Sequence, residues 1–549
     1  MKADLTRDTF HPLKHFARVL VQQGRVQLDA DMNEQAAILL RYLQTLAADL
    51  IGPAGGPAQK LGFAINPLPG NPNPVDVQIG FGNYYVNGVL CQAEFIPVYI
   101  FATDTANVYE VTNWSPDFDR TTIPYYELFE TAPGTLSAPV PIQISNPQKA
   151  QNEITIQAFA GATLPSFQSP AIRRMITYLH QPDLVYSTAS GAVSPLPLPA
   201  SGNVQFYLDV WERVITYAED DHIREVALGG PDTAARSKIV WQVKWQQATV
   251  NADNNPICSV PPPKPPRGLL QAKAKQNAPS TNPCIINPNA AYTGPENQLY
   301  RVEINRGGPA GTVSGSSATF KWSRENGSVI FPIASGGGTA QLVLETLGRD
   351  DRFGLAEGSL VEVQDDRSVL LNQSGKLLPV QSINTSTMTV ALSGTPDSVV
   401  GSDETLHPLL RRWDQKDGDP AEGGLTLDTA YDNCAFVQEG VWLMLENGVQ
   451  IQFQPADPVQ TPLENAAAGV SNQYLTGDYW LIPARTATEN VEWPSITDAQ
   501  GNTTPLALPP HGITHYYAPL AIVSISANGV SPMTDCRSSF NPLAGPVNE

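Results

Sequence analysis

The sequence predicts a mainly β protein of several domains, antiparallel β sandwiches or barrels behind a short helical N-terminal anchor. Three observations carry that expectation. Asn-Gly, the dipeptide best suited to a two-residue hairpin turn, occurs four times between strand-like runs, at Asn87-Gly88, Asn326-Gly327, Asn447-Gly448 and Asn528-Gly529. The chain of 549 residues holds 42 glycines and 49 prolines, roughly one residue in six, which favours turns over long helices. Only 16% of its residues are charged, against about 25% in ordinary soluble proteins, so neutral polar groups must build most of the surface.

The helical anchor comes first. Asp31 and Glu34 have capping-box spacing, so a helix is expected to begin after Asp31. Leu39, Leu43, Leu46 and Leu50 then recur at helical spacing as one apolar stripe, widened by Ala36, Leu40, Ala47 and Ile51, until Gly52 and Pro53 stop it. A helix this apolar on so many sides has to bury itself against something, and another subunit is one candidate. Gly24, in Gln22-Gln23-Gly24-Arg25, is placed to bend the chain ahead of the helix. The run Gly52–Pro57 reads as a turn-rich linker between the helix and the first β domain.

From about residue 75 the apolar period changes from 3.6 to 2, as in Val75, Val77, Ile79 and Phe81. Phe206–Tyr217 and Ile239–Trp245 read as further strands, and no fixed-period repeat supports a solenoid. Residues 261–266 are Pro-rich and expected to be extended; with Lys264, Arg267, Lys273 and Lys275 this region is the one basic patch, a solvated loop or a contact for an acidic neighbour. The expected division is an anchor or docking region over 1–60, a β domain over 61–185, the first part of another over 186–250, a Pro-rich insertion or linker over 251–295, and β domains over 296–400 and 401–549.

Charge and cysteines bound the function. A net charge of −20 argues against nucleic-acid binding and against a basic lipid anchor. No apolar run is long enough for a membrane-spanning helix, and residues 1–20 do not read as a secretory signal, so synthesis and assembly in the cytoplasm are expected. Five scattered cysteines, Cys91, Cys258, Cys284, Cys434 and Cys536, fit reduced, mostly buried thiols better than a disulfide framework, with Cys258 and Cys284 the one pair considered for a bond.

Candidate chemistry is sparse. Glu219-Asp220-Asp221-His222 holds the components of an acid–base pair or a hard-metal site, but neighbouring side chains on a strand point to opposite faces, so a solvated turn is the simpler reading. Asp29, Asp31 and Asn33 mimic the start of a calcium loop without its glycine, and Asp414–Asp419 lacks the alternating acidic spacing. His511 and His515 have a metal-friendly spacing, but Pro509, Pro510 and Gly512 oppose the helix that would converge them. Nucleophile-elbow, zinc-helix, phosphate-loop and dinucleotide motifs are all absent, so the chain is expected not to be an enzyme and to need no cofactor. Of the nine tryptophans, Trp114 and Trp493 sit among turn residues and are the candidates for an exposed ligand platform.

One stretch is more specific. Arg7-Asp8-Thr9-Phe10, His15, Arg18-Val19-Leu20, Gln22–Asp31 and Asn33-Glu34-Gln35 together resemble the N-terminal signature of a family encoded with phage-tail-like contractile injection systems; Met32 stands where that family's pattern has Trp. The resemblance continues through Leu208–Arg213, Arg224–Asp232, Phe320–Gly327, Gly477–Arg485 and His515–Leu520. It implies a structural subunit docking at the baseplate or its periphery through Arg7, Phe10, Arg18 and Arg25 with Leu39, Leu43, Leu46 and Leu50, in a particle that is membrane-anchored or released. Its implied partners are other baseplate, sheath or fibre subunits and further copies of itself. Arg7, Arg18 and Arg25 also face Asp8, Asp29 and Asp31 in sequence, so intrachain ion pairs compete with docking. A receptor- or glycan-binding tail-fibre-like module is the alternative, with a cell-envelope hydrolase behind it.

Overall fold

The computed structural model describes residues 2–541 except 69–75, 116–117, 119–124, 132–138, 160–162, 166, 185–195, 252, 254, 262–267, 276–291, 314, 398, 456–471 and 502. It is mainly β, with many antiparallel sheets and one long helix, α1 (Asp29–Ile51).

The chain forms two units that interleave in sequence, so the expected succession of segments is not how it is built. One unit comprises Met1–Leu40, Glu212–Lys238 and Pro263–Thr514; the other comprises Arg41–Trp211, Ile239–Pro262 and His515–Glu549. The first is called the KWSREN unit and the second the LDVW unit, after a sequence run in each.

In the LDVW unit, the strand Gly202–Ile215 pairs antiparallel with Tyr516–Ser526, which continues through Asn528-Gly529 into Gly529–Asp535. Strand Gly82–Val86 turns at Asn87-Gly88 into Val89–Ala93; both turn residues have positive φ, as a type I′ hairpin requires. These sheets share one core around Phe63, Tyr84, Phe206 and Trp241, in which Phe63 meets Trp241 edge-on at 4.9 Å. A closed six-stranded barrel spans Val98–Arg174 in the strand order 153–158, 108–111, 98–102, 170–174, 126–130, 140–148, around Ile100, Tyr126 and Ile154.

In the KWSREN unit, a five-stranded sheet has Gln298–Arg306 at its centre between Thr319–Ser323 and Tyr479–Arg485. Its core is aromatic, with Tyr300, Phe320, Trp322, Phe453, Tyr474 and Trp480 all buried. A second closed six-stranded barrel runs from Ile330 to Trp413. Its last strand, Leu409–Trp413, lies between Ile330–Ser335 and Leu360–Gln364, so the boundary expected at 400 falls inside a single barrel.

Four further expectations are corrected. Gly52–Pro57 is not a linker: Ala54–Pro57 is a strand pairing with Gly82–Val86 and Ser539–Phe540, and Gly56 allows this because a Cβ there would lie 2.7 Å from the Asn83 carbonyl oxygen. Asn326-Gly327 closes no hairpin, since the strands on either side of it, Thr319–Ser323 and Ile330–Ser335, pair in different sheets. Cys258 is bonded to Cys536, within the LDVW unit, while Cys91 and Cys434 are buried thiols. The expectation of reduced cysteines failed because two residues 278 positions apart meet only through tertiary structure. Cys284, Lys264 and Arg267 lie outside the described residues. Of the remaining basic patch, Lys275 pairs with Glu422 and Lys273 places its ammonium 4.0 Å over the Trp442 ring, so both are engaged within the chain.

Candidate functional site

The N-terminal 51 residues divide into a strap that is tied down, an arm that is exposed, and α1. Helix α1 starts at Asp29, two residues before the expected cap, with the amides of Asp31 and Met32 donating to the Leu28 carbonyl. Asp29 accepts from the Thr6 amide and hydroxyl at 2.9 and 2.6 Å, which lowers its pKa despite burial acting the other way. Glu34 accepts from the Thr9 hydroxyl at 2.7 Å, so the Asp31–Glu34 capping box does not form. Gly52, at φ +91°, ends the helix as expected.

Along α1 only Ala30 and Ile38 are buried. Leu39, Leu43, Leu46 and Leu50 lie on the surface, with Leu43 65% and Leu50 72% exposed. Among the described residues nothing covers the stripe the sequence singled out. It continues upstream into an arm in which Leu13, Phe16, Leu20, Val21 and Val26 are exposed, as are Arg18 and Arg25. Thirteen of the 29 exposed large apolar side chains among the described residues fall between Leu13 and Leu50, which makes this a patch and not the scatter normal for a surface.

Arg7 and Phe10 belong to the strap instead. Arg7 pairs with Glu492 at 3.1 Å and Phe10 is half-buried. Arg485 donates to the Thr6 carbonyl at 3.0 Å, and the Asn326 side chain donates to the Ala3 carbonyl at 2.9 Å. Lys2 reaches a nest of interior charge, with its Nζ 2.9 Å from Glu303 Oε1. Glu303 also meets Arg301 at 2.6 Å and Lys321 at 3.8 Å, and Lys321 pairs with Glu362 at 2.7 Å. Glu362 further accepts from the Trp413 indole at 2.8 Å and the Gly375 amide at 2.7 Å. Burial pulls the Lys2 ammonium down to about 8, and neighbouring Arg301, Arg411 and Lys321 act in the same sense against Glu303. Three resemblance blocks thus converge on one purpose. Asn326, Arg485 and the first ten residues fasten the strap to its own unit.

The LDVW and HYYAPL runs also meet. Asp209 accepts from Lys244 Nζ at 2.6 Å and lies 2.6 Å from His515 Nδ1, whose ring packs 4.9 Å from that of Trp211. The carboxylate is paired with the Lys244 ammonium, hydrogen-bonded to His515 and nearly closed off from solvent, which describes a structural polar cluster on the Gly202–Ile215 strand.

The other candidates occupy packing or turn positions. Trp114 is half-buried against the barrel core, edge-on to Phe118 at 5.3 Å. Trp493 is half-buried on the aromatic core of the KWSREN unit and donates to the Leu506 carbonyl at 2.8 Å. Both rings are packing elements where an exposed platform was considered. Glu219 is bonded to Thr216 at 2.8 Å through that residue's amide, and Asp220 caps a single 3-10 turn through the His222 amide, so the acidic run is a turn. Asp414 accepts from Ser323 and from the Arg324 amide, at 3.0 and 2.9 Å. His511, stacked on Tyr479, falls in a different unit from His515.

The chain matches a family described as a family of unknown function (DUF6519) over residues 1–127, 174–257 and 266–546. It belongs to DUF6519. No curated protein and no solved structure matches the chain. The DUF6519 match takes in the strap, the arm, α1 and the charged nest of Glu303 and Glu362. It leaves out 128–173, which contains the barrel strands Val140–Gln148 and Glu153–Ala158.

Proposed function

We propose that this DUF6519 chain is a structural subunit of a phage-tail-like contractile injection system, docking at the baseplate or its periphery through its N-terminal arm and helix. The observation that carries the reading is the uncovered apolar surface from Leu13 to Leu50, next to a strap that is firmly bound to the same chain. A protein that secures residues 2–10 with the interior Lys2–Glu303 pair and the surface Arg7–Glu492 pair, and leaves much of the next forty residues apolar and exposed, presents that stretch to a partner. The N-terminal resemblance supports the particle as that partner's source. The docking residues are Arg18, Arg25 and the apolar arm, together with Leu39, Leu43, Leu46 and Leu50.

Deleting the whole region is a poor test, because it also strips Lys2 from Glu303. Val21→Asp combined with Val26→Asp leaves the strap intact. The variant is expected to fold and to be lost from contractile particles purified from the producing cell; full occupancy in those particles overturns the reading.

A second reading, a receptor- or glycan-binding module, has one observation in its favour. Ile96, 90% exposed, and the outward Tyr99 and Phe101 sit at the barrel strand Val98–Ala102, beside the stretch that the family match omits. Tyr99→Ala with Phe101→Ala abolishes cell-surface or glycan-array binding if this is right. Binding that survives the change, or none in the parent, removes it.

A further inference from the structure

The exposed stripe of α1 is ordered more strictly than a hydrophobic patch. Met32, Ala36, Leu39, Leu43, Leu46 and Leu50 succeed one another at steps of four, three, four, three and four, the a and d positions of a heptad repeat. All six are exposed, and the two buried side chains of the helix, Ala30 and Ile38, lie on its other side. The flanking e and g positions are Asn33, Gln35, Leu40, Tyr42, Ala47 and Asp49, of which only Asp49 is charged.

The charges decide between occupants. A membrane surface attracts amphipathic helices through Lys and Arg. Helix α1 offers one cation, Arg41, against Asp29, Asp31, Glu34 and Asp49, on a chain of net charge −20. A different helix chosen by charge pairing would meet charged e and g positions, and these are almost neutral. A second copy of this chain fits. Two copies at −20 repel one another everywhere except where the contacting surface is uncharged, and the seam is such a surface.

Area sets the number of copies. Twenty-three residues make a helix of about 34 Å, and a stripe about 10 Å wide along it gives about 700 Å² for a pair, short of the roughly 1,200 Å² of a stable interface. Each helix of a trimer makes two such contacts and buries about 700 Å², near the roughly 800 Å² per partner of a standard interface, against about 350 Å² in a pair, and Leu40 and Tyr42 on the two flanks widen each helix enough to touch two neighbours. Threefold symmetry makes the helices parallel.

We propose that α1 is the core of a homotrimer, three copies of the chain packed in parallel along the seam from Met32 to Leu50. This rests on the assembly reading above and narrows it: Leu39, Leu43, Leu46 and Leu50 move from docking on the particle to self-association, and the arm with Arg18 and Arg25 keeps the docking role.

Light scattering on the size-fractionated full chain tests it. The expected mass is three times the 59.2 kDa of one chain. Leu43→Glu with Leu46→Glu is expected to reduce that mass threefold with the circular dichroism spectrum kept, while Leu43→Ile keeps the trimer. A monomeric or dimeric parent overturns the proposal, as does a trimer that the double substitution leaves intact. A parent that floats with phosphatidylcholine–phosphatidylserine vesicles as a monomer assigns the stripe to lipid and overturns it too. A monomer that still co-purifies with particles refutes the trimer and leaves the subunit reading standing; a trimer absent from particles does the reverse.

Discussion

Lys2 Nζ sits 2.9 Å from Glu303 Oε1, so the second residue of the chain completes an ion cluster in the interior of the KWSREN unit. The two partners are not equivalent. Burial pushes Glu303 up, but Lys2, Arg301 and Lys321 outweigh it and hold its carboxyl well below the usual range. Lys2 is pulled down to about 8, so its charged form is disfavoured where it lies. Glu303→Gln therefore leaves three cations without their shared anion and is expected to cost about 3–5 kcal/mol. Lys2→Met leaves Glu303 with Arg301 and Lys321 and costs less than half of that. Urea unfolding of the two variants measures the ordering, and equal losses contradict it.

The Cys258–Cys536 bond joins positions 278 apart and restricts the unfolded chain accordingly. Replacing both by Ser is expected to lower stability by about 2–5 kcal/mol. Reductant should bring the melting temperature of the parent down towards that of the variant and leave the variant unmoved. Cys91 and Cys434, whose thiols burial pushes up to about 12, should stay unreactive to a thiol reagent until the protein unfolds.

These two sites show what the sequence carries and what it hides. Alternating runs and Asn-Gly turns are local signals, and the hairpins at Asn87, Asn447 and Asn528 arise from them. The leucine stripe of α1 is local as well, and it lies on the surface. Lys321, Glu362 and Arg411 were opaque for the opposite reason. Each interrupts an apolar strand as a solvent-facing residue would, yet every residue of Thr319–Ser323, Leu360–Gln364 and Leu409–Trp413 is buried. Their polar faces meet one another inside, which depends on strands brought together from positions some ninety residues apart. Asn326 misled in the same way, since its side chain bonds Arg301 and the Ala3 carbonyl. Of these positions only Lys321 and Asn326 fall within the resemblance blocks.

Asp209 supplies an acid-range prediction. Burial raises its pKa, but the hydrogen bond from His515 and the charge of Lys244 prevail and place it below the ordinary 3.8. A folded pKa below the unfolded one means stability that is present above the unfolded value and is lost as pH falls through the folded one. Asp209→Asn is expected to cost about 3 kcal/mol at neutral pH and to flatten the loss of stability below about pH 4. Thermal melts across that range check it, and parallel curves for parent and variant refute it.

His407 acts in the opposite direction and in a milder range. Its Nδ1 lies 2.7 Å from Asp366 Oδ2, and that hydrogen bond raises its pKa above the ordinary 6.5, with burial opposing. Asp366 also holds Arg213 at 2.8 Å, so its own carboxyl stays ionised and available as the partner. A folded pKa above the unfolded one gives stability that is complete below the unfolded value and disappears as pH rises through the folded value. The imidazole is part-exposed, so solvent screening limits the contribution to below about 1 kcal/mol. The parent is therefore expected to lose a small increment of stability between about pH 6 and pH 8, and His407→Gln to lose none over that interval. Because Arg213 still neutralises Asp366 in the variant, the two proteins should converge at the alkaline end, and a constant offset between them would show that His407 acts through packing and not through its charge.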